Sequence, residues 1–356
     1  MLDVVVKNTE RFLLSVPKTK RKKYGQFFTN MSTAKFMASL FCFDRSKPCL
    51  EILDAGAGTG ILATAVIQKL IDDGYKGRIH VTCYETDDFV MPVLEENMRL
   101  STVLPNVTCS IKTDNYITSQ NFSTYTLFGG EDFHYDYIIG NPPYLKTSKD
   151  AIEALAMPEV CYGAPNLYFL FWAMGIHNLK EGQELVYIIP RSWTSGAYFK
   201  RFREYLFREC VLTDIHLFEK RDKVFDGESV LQETMIVKVK KTRVVPSAIN
   251  ITTSSTSDFK DISSFSAPYE TVVTKNHCVC VVTNSDDVNV LHTINHFSKT
   301  LPEINLKMQT GIIVDFRTRE VLRNELEEGA YPLLYAQHIR EGKIVWPLGK
   351  EGEVIK

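Results

Sequence analysis

The chain has 356 residues, of which 44% are hydrophobic and 24% charged, and its formal net charge is −2 at pH 7. This length can hold two domains with full cores, and the charge balance argues against a uniformly basic coat for nucleic acid, although not against a local basic face. No segment holds about 18 uninterrupted apolar residues, and the N-terminus lacks a signal-peptide pattern, so we expect a cytoplasmic protein without a membrane span.

Cysteine and basic residues are spread without a clear site pattern. The eight cysteines lie mostly among apolar neighbours, with no Cys-x-x-Cys pair and no paired histidines. This predicts structural thiols rather than disulfides or zinc, and we expect no metal. Lysine and arginine cluster at residues 18–23, 200–203 and 238–243, and only a shared face would make these clusters a phosphate track.

Apolar periodicity predicts alternating helices and strands along the first two thirds of the chain. Amphipathic helices are expected over residues 1–17 and 34–41, and a first strand over residues 50–53. Further strands are expected at residues 79–84, 107–112, 137–139 and 184–189, followed by a late antiparallel strand over residues 230–241. This alternation predicts an α/β fold with a doubly wound, mostly parallel, Rossmann-like sheet.

A glycine-rich turn, residues 54–60, joins the first strand to a helix over residues 61–71. Without a Cβ, glycine lets the backbone turn tightly and approach a ligand, so Gly56, Gly58 and Gly60 are candidate cofactor contacts. The spacing differs from the G-x-G-x-x-G turn that seats a pyrophosphate. The leading carboxylate of Asp54 would repel phosphate and suits a cationic sulfonium ligand.

Acidic residues follow the next two predicted strands. Glu85 stands where an α/β fold places an acid that binds ribose hydroxyls. Asp114 and Asn115 follow the third strand, where Asp-Asn also suits a simple Asx turn. Asp87 and Asp88 are interpreted as helix caps, because the helix dipole favours acids in the first turn.

The fourth strand ends at Gly140 and is followed by the turn Asn141-Pro142-Pro143-Tyr144. Two consecutive prolines fix φ near about −65° and remove two backbone donors, so this turn cannot extend the sheet. It holds the Asn141 carboxamide and the Tyr144 ring in set directions. Asn-Pro alone commonly begins an ordinary turn. Together with the glycine turn, however, this segment is expected to flank one cofactor site.

These two turns together resemble the S-adenosylmethionine-dependent DNA methyltransferases of restriction-modification systems, in particular the Asn-Pro-Pro-Tyr class that methylates adenine at N6. The resemblance covers residues 20–243 and implies S-adenosyl-L-methionine as cofactor, double-stranded DNA as partner and a restriction endonuclease as a candidate partner. Residues 25–29 resemble the segment that closes over the methionine end of the cofactor. The cofactor contacts that the resemblance implies are Gln26, Phe27, Thr29, Asp114, Asn115 and Asn141.

The same resemblance implies a mechanism. The Asn141 side-chain oxygen and the Pro142 carbonyl would each accept a hydrogen bond from the adenine amine and aim its lone pair at the sulfonium methyl. Pro143 stiffens the turn, and Tyr144 offers a face on which the base stacks. A paired adenine must flip out of the duplex to react. An aromatic residue of the family sandwiches the flipped base, which makes Phe225 the candidate here.

Composition shifts at residues 242–266, where Ser, Thr and Pro crowd together, and we place the domain boundary between residues 243 and 244. Residues 1–243 are expected to form the methyltransferase domain. Residues 244–356 are expected to begin an α+β target-recognition domain, whose completeness the sequence leaves open.

Several alternatives to a DNA adenine methyltransferase stay open. One is a glutamine-N5 protein methyltransferase, whose family also carries Asn-Pro-Pro-Tyr, and another is an RNA guanine methyltransferase. A third, of another class, is a non-catalytic DNA-binding subunit that keeps the methyltransferase fold. A cytosine-C5 enzyme is excluded because the turn at Asn141 has no nucleophilic cysteine beside a proline.

Overall fold

The computed structural model describes residues 1–16, 28–122, 135–219, 233–299, 301–308, 317–323 and 328–349. Three predicted site residues, Gln26, Phe27 and Phe225, lie outside the described residues. The chain divides into two compact units, Met1–Ile294 and Asn295–Lys356. Among the described residues, none of the helices has the length and hydrophobicity that a membrane crossing requires.

A nine-stranded sheet lies at the centre of the first unit as described. Its strands are β1 (Cys49–Ala55), β2 (Arg78–Tyr84), β3 (Val107–Lys112), β4 (Tyr135–Gly140), β5 (Leu179–Pro190), β6 (Cys210–Phe218), β7 (Thr234–Lys241), β8 (Ala248–Ser254) and β9 (Ser263–Pro268). The order is β3-β2-β1-β4-β5-β7-β6-β8-β9. Strands β1 to β5 pair in parallel, whereas β7 is antiparallel to both β5 and β6. The predicted mostly parallel sheet with a late antiparallel strand is confirmed.

Helices lie before, between and after these strands. They are α1 (Leu2–Ser15), α2 (Met31–Ser39), α3 (Ile61–Asp72), α4 (Met91–Ser101), α5 (Ile152–Ala156), α6 (Leu167–Asn178), α7 (Lys200–Glu209), α8 (Tyr269–Val272) and α9 (Ser285–Asn295). Short 3-10 helices, Arg191–Thr194 and Ala197–Phe199, lie between β5 and α7. The order of strands and helices through β5 is that of a doubly wound fold.

Side-chain caps explain where two of these helices begin. The Asn30 side chain accepts a hydrogen bond from the Thr33 backbone N–H at 2.8 Å, so α2 starts earlier than the expected residue 34. The Asn166 side chain accepts one from Tyr168 and caps α6. Strand β4 is buried along its whole length, which is typical of a central parallel strand.

The sheet continues past the expected boundary at residues 243 and 244. Strand β8 pairs in parallel with β6, β9 pairs antiparallel with β8, and the compact unit extends to Ile294. The compact unit therefore extends beyond the expected boundary, and the functional division between the two domains stays a prediction. Strands at a sheet edge are held by backbone hydrogen bonds and need few apolar side chains, so the serine-rich β9 gives the composition of a linker.

The second unit, as far as it is described, contains short elements. These are 3-10 helices at Pro302–Ile304, Arg319–Val321 and Ala336–His338, and a two-stranded ladder of β10 (Ile339–Arg340) and β11 (Lys343–Ile344). Its role in target recognition stays a prediction. The eight cysteines all lie in the described residues, where none of them forms a disulfide.

Candidate active site

A cleft of about 390 Å³ lies where strands β1 to β4 end. Because these strands are parallel, their carboxyl ends meet at one edge of the sheet, which is where open α/β folds bind ligands. The predicted site residues that line the cleft are Thr29, Gly56, Gly58, Glu85, Asp114, Asn115, Asn141 and Pro143. The structure therefore brings the glycine turn, both acidic positions and the Asn-Pro-Pro-Tyr turn into one cavity.

The glycine turn requires its glycines. Gly56, Gly58 and Gly60 have φ values of 73°, 55° and 78°, a region that residues with a Cβ rarely adopt. The turn is fixed to the end of β2, because the Gly56 and Ala57 N–H groups both donate to the Tyr84 carbonyl at 2.9 Å. Gly60 also supplies the N-cap of α3 and does not itself line the cleft.

Asp54 lies behind the glycine turn rather than in the cleft, and it is completely buried. Its Oδ2 accepts a hydrogen bond from the Ala63 N–H at 3.1 Å, whereas Oδ1 has no partner among the described residues. Burial raises the pKa of this carboxyl to about 7. A cation bound in the neighbouring cleft would favour the ionised form.

Glu85 ties the glycine turn to the residues that follow β2. Its Oε2 accepts from the Gly58 N–H at 2.9 Å, and its Oε1 accepts from the Thr86 and Asp87 N–H groups at 2.8 and 2.9 Å. Burial raises the pKa of Glu85, and these three hydrogen bonds oppose that shift. The carboxylate is thus held at the cleft wall, while its predicted bond to ribose stays a prediction.

Asp114 and Asn115 occupy the next wall of the cleft. The Asn115 Oδ1 accepts from the Ile117 and Thr118 N–H groups at 3.0 and 3.2 Å, so the Asx-turn alternative describes this residue correctly. Its Nδ2 donates to Glu153 Oε1 at 2.9 Å, which joins the end of β3 to α5. Asp114 lines the cleft, and its predicted contact with the cofactor adenine stays a prediction.

The Asn-Pro-Pro-Tyr turn places only some of its residues in the cleft. The Asn141 Nδ2 donates to the Thr29 hydroxyl at 3.1 Å, and both residues line the cavity with Pro143. Pro142 is buried and is not part of the lining. Tyr144 turns inward, is 9% exposed and donates its hydroxyl to the Ile188 carbonyl at 3.0 Å. The stacking role of Tyr144 therefore stays a prediction.

Several lining residues were not foreseen as site residues. Leu167 and Phe171 lie four positions apart on α6, so both face the cleft from the same side of that helix. An apolar helix of this kind is typical of the core, and none of its residues was predicted as a site residue. Its place as the first long helix after the Asn-Pro-Pro-Tyr turn was the signal that could have identified them. The remaining unforeseen side chains of the lining include Phe28, Tyr84, Phe89, Leu145 and Glu153.

Helix α1 packs against the glycine turn. The Thr9 hydroxyl lies 2.8 Å from the hydroxyl of Thr59, a residue that lines the cleft. The fully buried Asn97 on α4 donates to the Thr59 carbonyl at 2.8 Å and accepts from Asn8 at 2.9 Å. The rings of Phe12 and Phe28 meet edge to face at 5.9 Å, and Phe28 lies against Gly58. The helix thus supports one wall of the cleft.

Comparison with known proteins assigns the chain to a family. Residues 61–225 match the model of the Eco57I restriction-modification methylases. The chain is 31% identical over 353 residues to the type II methyltransferase M.BsuBI of Bacillus subtilis, covering 96% of this chain and 69% of that protein. The chain belongs to the type II methyltransferases of restriction-modification systems. The family resemblance inferred from the two turns is confirmed at this level.

A second member of the family shows similar agreement. The type II methyltransferase M.PstI of Providencia stuartii is 32% identical over 343 residues, covering 94% of this chain and 67% of that protein. A release factor glutamine methyltransferase of Fusobacterium nucleatum matches a shorter stretch, with 33% identity over 137 residues and 38% of this chain. The family assignment thus rests on nearly the whole chain.

The fold agrees with this assignment. A class I S-adenosylmethionine-dependent methyltransferase of Listeria monocytogenes superimposes with a TM-score of 0.51 at 19% identity, over 66% of this chain and 67% of that one. At this identity the comparison establishes the fold alone. The predicted Rossmann-like methyltransferase fold is confirmed.

Proposed function

We propose that this chain transfers a methyl group from S-adenosyl-L-methionine to N6 of an adenine in double-stranded DNA. The observation that carries the proposal is that Asn141 lies in the same cleft as the glycine turn and Glu85. Methyltransferases of restriction-modification systems act on DNA, and membership of that family supports DNA as the substrate. The Asn-Pro-Pro-Tyr turn supports an amino group as the acceptor.

The residues around the cleft fit this cofactor. S-adenosyl-L-methionine carries a positive sulfonium and a positive amine, and acidic residues line the cavity at Glu85, Asp87 and Asp114. The buried Asp54 Oδ1 behind the turn has no partner among the described residues, and a cation nearby would compensate its charge. The volume is in the range of small-ligand pockets. We assign cofactor binding to the glycine turn, Glu85 and Asp114.

When bound, the cofactor supplies an electrophilic methyl group on a sulfonium. The protein must then raise the nucleophilicity of the adenine amine, whose lone pair is delocalised into the ring. In the proposed mechanism the Asn141 carboxamide and the Pro142 carbonyl each accept one amine hydrogen bond. They hold the nitrogen with its lone pair toward the methyl, so positioning and electrostatics supply most of the rate enhancement. As the nitrogen–carbon bond forms, the sulfur–methyl bond would break to leave a neutral thioether, and the amine would release one proton to solvent.

Base eversion is part of the proposal, because a paired adenine keeps its amine inside the duplex. Phe225 and Tyr144 are the proposed stacking residues for the everted base. Phe225 lies outside the described residues, and the Tyr144 ring is 9% exposed in the described structure. Stacking on Tyr144 therefore requires the ring to shift and expose its face when the base enters.

The second unit and a nuclease complete the proposed system. We propose that residues 244–356 contribute to the region that reads the DNA motif; within them, the second compact unit spans Asn295–Lys356. A restriction endonuclease with the same target sequence is the proposed functional partner, as in other restriction-modification systems.

A protein glutamine is the second candidate acceptor, because its side chain presents the same planar NH₂ group. This candidate is favoured by the match to the glutamine methyltransferase of Fusobacterium nucleatum, which covers 38% of this chain. The type II methyltransferases match 96% of the chain, which favours DNA.

Labelled methyl transfer distinguishes these acceptors. The full chain and methyl-labelled S-adenosyl-L-methionine are incubated in three separate reactions. One contains unmethylated genomic DNA, one release-factor protein and one total RNA. We expect label on DNA, and no label with the Asn141→Ala variant. Label confined to protein or to RNA would contradict the proposed function.

A further inference from the structure

The segment that follows the catalytic turn is held rigidly at the rim of the cleft. The Thr147 N–H donates to the Pro165 carbonyl, and the Leu167 N–H donates to the Leu145 carbonyl, both at 2.8 Å. Lys146 thereby forms an antiparallel bridge with Asn166, the cap of α6. Because Leu145 lines the cleft, the backbone of Lys146 is fixed one residue from the cavity.

An exposed tyrosine supports the Lys146 side chain. The Lys146 Nζ lies 5.9 Å from the centroid of the Tyr198 ring, within the range of a cation–π contact. Tyr198 is 59% exposed and also packs on Gly163, where an added Cβ would lie 3.2 Å from the ring. The ring therefore holds the ammonium group near the surface beside the catalytic turn. We call Lys146 with Tyr198 the rim platform.

The charge around the rim platform differs from the charge inside the cleft. Lys146 forms no ion pair within the described part of the chain. The adjacent Arg201 donates to the carbonyls of Cys161 and Pro158, which tethers the residues before Gly163 to α7 without using an acid. Five acidic side chains, by contrast, line the cavity, namely Glu85, Asp87, Asp88, Asp114 and Glu153.

This separation of charge suits a polyanion that stays at the rim. A phosphodiester backbone is repelled by the acidic cavity and attracted to a cation at its edge, while one neutral base can still enter. Lys146 follows Asn141 by five residues and its backbone is fixed at the cleft rim, so its cation is in place to bind the strand on which the everted nucleotide lies.

We propose that the rim platform binds a backbone phosphate of the target DNA strand, with Lys146 as the charged contact and Tyr198 as its support. This inference rests on the proposed DNA substrate and deepens it. The contact is to phosphate and carries no sequence information, so it acts on any duplex.

Because the contact is independent of sequence, its test does not need the recognition motif. The full chain is titrated onto a fluorescently labelled duplex of mixed sequence between about 50 and 200 mM salt. The variants are Lys146→Ala, Lys146→Arg and the control Lys76→Ala. Lys76 is exposed and lies before the amino end of β2, at the sheet edge opposite to Asn141.

We expect Lys146→Ala to weaken binding and to reduce the slope of log K against log salt by about 0.9, the contribution of one neutralised phosphate. Lys146→Arg should restore the slope, and Lys76→Ala should match the unaltered chain. An unchanged slope in Lys146→Ala, or an equal loss in Lys76→Ala, would overturn the rim platform while leaving the proposed function standing. Failure of the unaltered chain to bind duplex DNA would overturn both.

Discussion

The carboxamide nitrogen of Asn141 lies 3.1 Å from the hydroxyl oxygen of Thr29, a residue 112 positions earlier in the chain. Thr29 is 4% exposed and stands two residues before α2. Its neighbour Asn30 caps that helix and donates its own amide to the Ser257 hydroxyl at 2.9 Å. The segment at Thr29 is thus anchored through Asn30, and it can hold the Asn141 side chain in one orientation.

Thr29→Val tests whether this contact orients the Asn141 carboxamide. Valine has a similar shape but no hydroxyl, so we expect kcat to fall about tenfold, which corresponds to one hydrogen bond of about 1.4 kcal/mol. The dissociation constant of sinefungin, measured by calorimetry, should change little, and Thr29→Ser should restore kcat. A weaker sinefungin complex with unchanged kcat would instead make Thr29 a direct cofactor contact.

Asn141→Ala should separate methyl transfer from cofactor binding. Removing a preorganised group at the reacting nitrogen is expected to lower kcat by about a hundredfold or more. Sinefungin should still bind, because the glycine turn and Glu85 remain. Glu85→Gln is the matched variant and should show the opposite pattern, with weaker sinefungin binding as its main defect. Near-normal turnover by Asn141→Ala would reverse the assignment of the catalytic turn.

Asp54 predicts a particular dependence of stability on pH. Its folded pKa is about 7, above the ordinary value of 3.8, because the carboxyl is buried. Between these values the unfolded chain has lost the proton and the folded chain keeps it. The contribution of Asp54 to the free energy of unfolding therefore falls as pH rises from about 4 to about 7, and is constant above that. The difference between the pKa values of Asp54 in the folded and the unfolded chain corresponds to roughly 4 kcal/mol at most.

Asp54→Asn should remove this dependence. We expect the variant to be more stable than the unaltered chain at pH 8 and similar at pH 4, measured by urea denaturation without cofactor. The exposed Asp88→Asn serves as the control and should keep the original pH profile. Identical pH profiles for Asp54→Asn and the unaltered chain would show that the carboxyl titrates normally in the folded state.

Helix α1 should influence cofactor affinity without touching the ligand. Thr9→Val removes the hydroxyl that lies against Thr59, and it should raise the dissociation constant of sinefungin about fivefold, as expected for a hydrogen bond of about 1 kcal/mol. Glu10→Gln, an exposed position on the same helix, is the control. Equal sinefungin affinities of the two variants would show that the Thr9 hydroxyl does not contribute to cofactor affinity.

Much of this site could be predicted because its residues stand at the ends of apolar strands. Glu85 and Asn141 each follow a run of buried residues, and parallel strands bring such ends together. The three glycines of the first turn were predicted for the same reason. Their positive φ values agree with the need for a backbone without Cβ.

Other features depend on distant partners that a local pattern does not contain. The Tyr144 ring points inward because the Ile188 carbonyl, 44 residues later, accepts its hydroxyl. An apolar helix such as α6 does not reveal from its sequence that Phe171 faces a cleft. The polar strand β9 has the composition of a linker, and its pairing with β8 makes it a strand.

The central claim is most directly tested by identifying the methylated nucleoside. Unmethylated genomic DNA is incubated with the full chain and S-adenosyl-L-methionine carrying a deuterated methyl group, digested to nucleosides and analysed by mass spectrometry. The account predicts deuterated N6-methyldeoxyadenosine, absent when Asn141→Ala is used. Deuterated methyldeoxycytidine in its place, or DNA that acquires no deuterium while a glutamine-containing protein acceptor does, would contradict the proposed function.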